Sequence, residues 1–203
     1  EAPSRGRLVS DFLLGREKPD AYLERVCSNA RRYNGFSLLV GQGADLYWCS
    51  NRASGVHALD PGIHGLSNHL LDTPWPKVER GKRALGDLLA EKSFCAEHLF
   101  SILLDRTPAS DELLPDTGVG PELERMLSPI FIISPGYGTR SSTVLLLYRK
   151  GMFTFIEKSF QCGSENPFSA QCSFMMEADS AAPIDRMRPQ ARRRTKMSPS
   201  IPS

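Results

Sequence analysis

Apolar residues recur with helical spacing in four parts of the chain. The apolar stripe of residues 8–14 ends at Gly15, and the one that follows Pro19 recurs every three or four residues as far as Ala30. Two further amphipathic stretches lie at residues 78–89 and 99–104. The pattern predicts four helices, each with one buried face.

Compact apolar runs between turn residues predict strands. Residues 36–40 and 46–49 flank Gly41-Gln42-Gly43, which is typical of a hairpin. Further strands are predicted at residues 56–59, 63–66, 130–133, 143–148 and 152–156. The stretch 109–121 is rich in Pro, Asp and Gly and is predicted to be a loop. Strands, then helices, then strands indicate an α+β fold or a layered sandwich.

The periodic pattern is lost after residue 160. Ser, Pro, Ala, Gln and Arg dominate residues 161–203. This segment includes a basic run, Arg192-Arg193-Arg194-Thr195-Lys196. Such a run can mark a nuclear-localisation or acidic-surface patch. We favour a solvated tail, because a segment of low apolar content cannot offset the entropy of ordering. We therefore expect a domain over residues 1–160 and a disordered tail over 161–203.

Composition narrows the class of protein. A chain of 203 residues, 40% apolar and 24% charged, is typical of one soluble globular domain. Residues 1–160 carry as many acidic as basic side chains, which argues against a nucleic-acid-binding body. We expect no transmembrane segment, since no apolar run reaches about 18 residues. The five cysteines include no CxxC pair, which favours free thiols in a reducing compartment.

Two polar stretches stand out at predicted strand ends. Ser67-Asn68-His69 precedes Trp75, which lies between two prolines, and Tyr137-Gly138-Thr139-Arg140 precedes the strand predicted from residue 143. We expect these stretches to form a ligand-binding site. Its candidate residues are Ser67, Asn68, His69, Trp75, Tyr137 and Arg140.

Each candidate also has a purely structural interpretation. Asn68 would cap the end of a strand by bonding local backbone, and Arg140 would pair with the carboxylate of Asp72 or Glu157. Trp75 is favoured as a packed anchor of its turn over a platform for a ligand. Histidines 57, 64 and 69 match no zinc spacing, so no metal site is predicted. Cys49 is predicted to be an inert core thiol.

Several motifs, taken in order, resemble one known family. They are Ser4-Arg5-Gly6-Arg7-Leu8-Val9-Ser10-Asp11-Phe12-Leu13, Tyr33-Asn34-Gly35-Phe36-Ser37-Leu38-Leu39-Val40-Gly41, Ser50-Asn51-Arg52, Gly65-Leu66-Ser67-Asn68, Asp72-Thr73-Pro74-Trp75-Pro76-Lys77, Leu114-Pro115-Asp116-Thr117-Gly118, Tyr137-Gly138-Thr139-Arg140-Ser141-Ser142-Thr143 and Phe153-Thr154-Phe155-Ile156-Glu157-Lys158-Ser159. Residues 4–160 in this way resemble the transport and Golgi organization protein 2 family, also called the NRDE family.

The resemblance implies a fold like that of the N-terminal-nucleophile hydrolases, a layered αββα sandwich. Family members open with Met-Cys and an Asn-Arg-Asp-Glu signature, and neither is present in this sequence. We therefore expect a fragment whose sandwich is incomplete at the N-terminus and lacks the nucleophile cysteine. In such hydrolases Asn and Arg side chains stabilise the oxyanion, so Asn68 and Arg140 are the catalytic candidates that the resemblance implies.

The family resemblance also implies a function. It indicates a non-catalytic cytoplasmic protein, associated with the Golgi or mitochondria, that acts in secretory organisation and in trafficking of haem or lipid-like metabolites. Haem would be cargo and not a cofactor. Two alternatives stay open: a cysteine amidohydrolase, whose nucleophile is not in this sequence, and a truncated, non-functional product with exposed sheet edges.

Overall fold

The structure, a computed structural model, describes residues 2–91, 93–148, 152–161 and 168–177. In this part of the chain it contains five α-helices: α1 (Gly6–Leu14), α2 (Pro19–Ser28), α3 (Pro76–Ala90), α4 (Ala96–Leu103) and α5 (Pro121–Leu127). It also contains eight strands: β1 (Ser37–Gln42), β2 (Asp45–Ser50), β3 (Val56–Ala58), β4 (Ile133–Ser134), β5 (Tyr137–Gly138), β6 (Ser141–Leu147), β7 (Met152–Phe160) and β8 (Phe168–Glu177).

The described strands form three small antiparallel sheets. Their orders are β1-β2-β3, β4-β5 and β6-β7-β8. The register of the first pair runs from Ser37 opposite Ser50 to Gln42 opposite Asp45, which confirms the predicted hairpin around Gly41-Gln42-Gly43. Helices and antiparallel sheets therefore alternate along the chain.

Helix α2 covers one face of the first sheet, and α1 packs against α2. Eight buried residues form this core, and they come from both helices, from β1 and β2 and from the residue before β1: Leu8, Tyr22, Leu23, Val26, Phe36, Leu38, Val40 and Cys49. The Tyr22 hydroxyl donates to the Leu8 carbonyl oxygen at 2.6 Å, so the buried phenol is satisfied. The alternation of Leu38 and Val40 with exposed Leu39 places one face of β1 in this core.

Helix α4 packs against the sheet of β6 and β7. Lys158 on β7 donates to Glu97 on α4 at 2.6 Å, and its ammonium lies 4.2 Å from the centre of the Phe100 ring. At the end of the same strand, Phe160 meets Phe131 edge to face with ring centres 4.8 Å apart. Side chains of β7 therefore connect this sheet to α4 and to the chain before β4.

Of three sequence-based assignments between α2 and β6, two are wrong, and the loop predicted over residues 109–121 is largely confirmed. Residues 63–66 form no strand, because the backbone N–H of Gly65 binds a side-chain carboxylate instead of a neighbouring strand. Of residues 130–133, only Ile133 lies in a strand. The predicted loop contains a 3-10 turn, Asp111–Leu113, and leads into α5, which begins at a proline with two glutamates in its first turn.

The expectation of a disordered tail from residue 161 is also wrong in part. Strand β8 pairs with β7 over nine positions, from Met152 opposite Glu177 to Phe160 opposite Phe168. Apolar residues at every second position of Phe168–Glu177 signal a strand, and pairing with β7 satisfies its backbone groups. Residues 178–203, including the basic run, lie outside the described part of the chain.

Replacing Leu23 with alanine will test the core between α1, α2 and the first sheet. Leu23 is fully buried, so Leu23→Ala should lower the free energy of unfolding by about 2–5 kcal/mol through lost burial and a cavity. Leu14→Ala is the matched control, since Leu14 is 81% exposed and should change stability by less than about 0.5 kcal/mol. Urea denaturation followed by circular dichroism measures both, and equal losses would contradict this account of the core.

Candidate functional site

The loop before α3 is folded around one carboxylate, that of Asp72. Its Oδ1 accepts hydrogen bonds from the Gly65 backbone N–H at 2.8 Å and from Lys82 Nζ at 2.7 Å. Its Oδ2 lies 2.7 Å from His64 Nδ1. The backbone N–H of Asp72 in turn donates to the Gly65 carbonyl at 2.7 Å. We call these four residues the Asp72 clamp; it closes the loop and attaches it to α3.

The backbone geometry of the clamp restricts which residues can occupy positions 65 and 72. Asp72 has φ 56°, a left-handed conformation that aspartate and asparagine tolerate better than most residues. Gly65 approaches α3 so closely that a Cβ there would lie 2.6 Å from Val78 Cγ1. A side chain at position 65 would therefore push the loop away from the helix.

The clamp also sets the charge of its members. Partial burial alone would raise the pKa of Asp72, but hydrogen bonds from Lys82, His64 and Gly65 outweigh it and lower that pKa to about 2. Reciprocally, the hydrogen bond to Asp72 raises the pKa of His64 and that of Lys82. The carboxylate therefore stays ionised at any ordinary pH.

The chain leaves the clamp through Trp75 and enters α3 at Pro76. The ring of Trp75 lies 5.6 Å from that of His69, and His69 Nδ1 lies 2.9 Å from the Thr73 hydroxyl. The Thr73 hydroxyl donates its one proton to the Leu70 carbonyl, so His69 Nδ1–H must be the donor to Thr73. In the neutral ring this leaves His69 Nε2 as an acceptor without a partner among the described residues.

These residues border a cavity of about 480 Å³, which we call the polar cavity. Its walls are the loop, the start of α3, residues 115–119 and α5. The lining residues are Arg52, Asn68, His69, Trp75, Pro76, Lys77, Pro115, Asp116, Thr117, Val119, Glu124, Leu127 and Ser128. A volume of this size falls within the range of small-molecule sites, about 300–1,000 Å³.

Arg52 is an exposed cation that lines the polar cavity. Its backbone N–H donates to Ser50 Oγ at 3.1 Å, and a Cβ on Gly35 would lie 2.8 Å from its guanidinium. The guanidinium forms no ion pair or side-chain hydrogen bond with the described residues. Arg52 also lines a neighbouring cavity of about 840 Å³ that runs along β1 and contains Asn68 and His69 as well. A guanidinium so placed can bind a carboxylate or phosphate of a ligand.

Lys77, in the first turn of α3, lines the polar cavity as well. Its Nζ donates to the Leu127 carbonyl at 2.7 Å. Burial lowers the pKa of Lys77, an effect that the charge of Glu124 partly offsets. Glu124 is itself buried, and it accepts from the backbone N–H and the hydroxyl of Thr117 at 2.7 and 2.5 Å.

A second large cavity, of about 640 Å³, lies on the other side of α3 between α4 and β6. We call it the apolar cavity, because most of its lining side chains are aliphatic or aromatic. Lys77 lines this cavity as well as the polar one. Lys77 is therefore a residue that the two cavities share.

The predicted site residues separate into two groups. Asn68, His69 and Trp75 line the polar cavity, and Ser67 lines the two other cavities beside it. Tyr137 and Arg140 are exposed and line none of the three. The structure brings the Ser-Asn-His stretch together with the tryptophan but not with the second polar stretch.

The structural roles considered for these residues, a strand cap for Asn68 and an ion pair for Arg140, are not seen in the described part of the chain. The Asn68 side chain forms no hydrogen bond with any other described residue. Arg140 does not pair with a carboxylate in the described part of the chain, since Asp72 is bound by the clamp and Glu157 accepts from the Thr143 hydroxyl at 3.0 Å. Arg140 contributes instead through its backbone, since its carbonyl oxygen accepts a hydrogen bond from the Phe160 backbone N–H.

Sequence reasoning missed Arg52, Lys77 and the Asp72 clamp as parts of the site. A local sequence motif precedes two of them. Arg52 follows Ser50-Asn51, whose side chains bind the backbone of residues 30–36. Lys77 follows the helix start at Trp75-Pro76. The clamp had none, because it depends on a left-handed aspartate that no periodic pattern reveals.

Two features are absent from the residues that the structure describes. No three His, Cys, Asp or Glu residues of the described chain cluster closely enough to hold a metal ion. Among the same residues, no helix combines the length and the apolarity that crossing a bilayer requires.

The described thiols lie away from the cavities. Cys49 is fully buried, and burial, with Cys27 beside it, raises its pKa to about 12. Cys27 and Cys95 are free, and neither lines any of the three cavities. Cys49 is thus an inert core thiol, as predicted.

Asp72→Asn will test the clamp. Asparagine tolerates the left-handed backbone and keeps an acceptor for Gly65 and Lys82, so the variant removes the charge and replaces the acceptor that faces His64 with a donor. A depressed Asp pKa contributes stability that is present above the unfolded value of 3.8 and lost as pH falls through about 2. We expect Asp72→Asn to cost about 1 kcal/mol at neutral pH, after allowance for solvent screening, and to flatten the acid end of the stability profile.

Thermal melts at pH values from 2 to 7 measure this effect. Asp45→Asn is the control, since Asp45 is exposed at the turn of the β1-β2 hairpin and lies outside the clamp. An acid profile that Asp72→Asn leaves as steep as that of the unmodified chain would show that the clamp charge does not contribute.

Thiol labelling will test the placement of the cysteines. Exposed Cys95 should react with iodoacetamide in the native chain, whereas Cys49 should react only after unfolding, because the thiolate is the nucleophile. Peptide mass spectrometry of native and urea-unfolded samples distinguishes them. Rapid native labelling of Cys49 would contradict its burial.

The chain is similar in sequence to known proteins. The sequence profile described as transport and Golgi organisation 2 matches residues 1–162. The human Transport and Golgi organization protein 2 homolog is 33% identical over 173 residues, which cover 78% of this chain and 63% of the relative. The mouse and bovine homologs are 31% and 32% identical over similar lengths. The chain thus spans less than two thirds of the length of these relatives, and it belongs to the transport and Golgi organisation 2 family.

Proposed function

We propose that this chain carries a small anionic ligand, with haem or a lipid-like metabolite as the cargo, and performs no reaction on it. In this proposal the carrier serves the transport and Golgi organisation that its relatives' name describes, in the cytoplasm beside the Golgi or mitochondria. The layered αββα sandwich is the fold that we propose for the complete domain.

The observation that carries the proposal is the pairing of His69 with Trp75 at the wall of the polar cavity. The Thr73 hydroxyl fixes the tautomer and leaves His69 Nε2 as an acceptor without a partner among the described residues, which is the form of imidazole that binds iron. The indole ring beside it supplies a flat apolar surface, and Arg52 supplies a cation for a carboxylate. Imidazole, aromatic surface and guanidinium together suit a haem with acidic substituents.

The amidohydrolase alternative draws no support from the described thiols. A cysteine hydrolase requires a thiolate beside oxyanion donors in a shielded pocket. Cys27, Cys49 and Cys95 line none of the three cavities, and Asn68 and Arg140 do not meet in any of them. Carriage without catalysis is therefore the function that the described residues favour.

Titration of the purified chain with haemin tests the proposal. We expect a shifted Soret band at micromolar concentrations, and a loss of affinity of about tenfold or more, equivalent to about 1.4 kcal/mol, in His69→Ala. Trp75→Ala and Arg52→Gln should weaken binding in the same assay.

His57→Ala is the matched control, because His57 is an exposed histidine that lines none of the three cavities. It should bind haemin like the unmodified chain. A Soret band that stays unchanged on titration would reject haem as the cargo, and equal losses in His57→Ala and His69→Ala would reject the polar cavity as its site.

A further inference from the structure

Strand β1 has a free edge that ligand carriage does not use. It is the outer strand in the order β1-β2-β3, so β2 occupies one of its two sides. Its sequence, Ser37-Leu38-Leu39-Val40-Gly41-Gln42, contains neither a charged residue nor a proline. Proteins commonly protect exposed sheet edges with such residues. The edge of β1 is therefore suited to pairing with another strand.

The contacts of Phe36 show which backbone groups of β1 face this edge. The Phe36 N–H donates to the Asn51 side chain at 2.9 Å, and the Phe36 carbonyl accepts from Ser50 Oγ at 2.7 Å, so both groups face β2. Backbone groups alternate in direction along a strand, so those of Ser37 and Leu39 point away from β2. Among the described residues, these outward N–H and C=O groups have no hydrogen-bond partner.

A groove lies beside this edge. It is the cavity of about 840 Å³ that runs along β1, and we call it the edge groove. Its lining includes residues 35–38, Leu8 and Val9 of α1, and residues 66–69 of the loop before α3. Val9 is 51% exposed, so it offers apolar surface to a side chain in the groove. The edge groove thus combines unpaired backbone groups with space for the side chains of an extended segment.

Two arginines converge on Gly35 at one end of the edge groove. Arg5 Nη1 donates to the Gly35 carbonyl at 2.8 Å, and a Cβ on Gly35 would lie 2.8 Å from Arg52 Nη2. Both arginines are exposed, and neither forms an ion pair with a carboxylate in the described part of the chain. The described lining of the groove also contains His69 but no aspartate or glutamate. The groove is therefore positively charged, and its fixed charge lies beside Gly35.

We propose that the edge groove binds an extended acidic peptide of a partner protein, which joins the sheet as a strand next to β1. Main-chain hydrogen bonds to Ser37 and Leu39 hold the peptide, as in other domains that bind a strand at an exposed sheet edge. A carboxylate near one end of the peptide binds Arg5 and Arg52. Alternate side chains of the peptide face α1, where Val9 contacts them, or the opposite side of the sheet.

A second copy of the chain is a less suitable occupant of the edge groove. Two β1 edges could pair with each other, but β1 has no carboxylate to place beside the two arginines. Charge complementarity therefore favours an acidic segment from a different protein.

Arg5 separates the peptide site from haem carriage. Arg5 lines the edge groove but not the polar cavity, whereas Arg52 and His69 line both. A variant of Arg5 can therefore lose the peptide and keep haemin, and His69→Ala can do the reverse.

Fluorescence anisotropy with the full 203-residue chain tests the site. The probe is a fluorescein-labelled peptide, Glu-Glu-Thr-Val-Thr-Val-Thr-Glu-Glu, whose two acidic ends place a carboxylate beside Gly35 in either strand direction. The matched control peptide has lysine in place of each glutamate. We expect the acidic peptide to bind about tenfold more tightly, because the two guanidinium groups attract it and repel the basic one. Equal affinities would overturn the acidic partner.

Arginine variants locate the peptide. Arg5→Gln and Arg52→Gln should each weaken binding of the acidic peptide by about threefold, the effect of losing one exposed ion pair. Arg7→Gln is the matched control, because Arg7 is an exposed arginine of α1 that lines none of the three cavities. It should bind the peptide like the unmodified chain, and Arg5→Gln should bind haemin like the unmodified chain. Equal losses in Arg5→Gln and Arg7→Gln would overturn the edge groove as the site.

A methylated probe distinguishes strand addition from attraction of charge alone. Methyl groups on the N–H of each threonine and valine remove the main-chain donors of the peptide and keep its four glutamates. This probe should not bind, and the parent peptide should slow hydrogen exchange at the Ser37 and Leu39 amides. Undiminished binding of the methylated probe would overturn strand addition. A dimer in analytical ultracentrifugation that the parent peptide dissociates would overturn the separate partner and assign the edge to a second copy.

Discussion

The carboxylate of Asp72 is the constraint on which the site depends. It binds one backbone N–H, one imidazole and one ammonium at the same time, and so it joins residues 64–72 to α3. Trp75 and Lys77 follow within five residues, so the direction in which the chain enters the helix is set by the clamp. The hydrogen bonds from His64, Gly65 and Lys82 largely compensate the negative charge of Asp72. The partly buried carboxylate therefore stabilises the loop and does not strain it.

The periodic elements were the predictable part of the fold. The four amphipathic helices and the β1-β2 hairpin follow from spacing, because each buries one face against the next element. Residues 63–66 were mistaken for a strand, since an apolar run gives no sign that its backbone will bind a side chain. Helix α5 has seven residues, too few to show a period, and β8 was hidden by the polar residues around it.

The candidate site was predictable only where its residues are neighbours in sequence. Asn68, His69 and Trp75 come from one loop and do meet at one cavity. Arg140 was assigned to the same site because both stretches precede predicted strands, but residues 63–66 form no strand, so this shared edge does not exist. Arg52 and Lys77 reach the cavity from the end of β2 and from α3, and although a local motif precedes each residue, their proximity depends on tertiary packing.

The sharing of Lys77 by two cavities has a thermodynamic consequence. Because Lys77 lines both cavities, a ligand that moved its side chain in one cavity would also change the lining of the other. Any such effect is reciprocal: if filling the apolar cavity alters affinity in the polar cavity by some factor, filling the polar cavity alters affinity in the apolar one by the same factor. The first turn of α3 would then act as the coupling element between two sites that share no ligand.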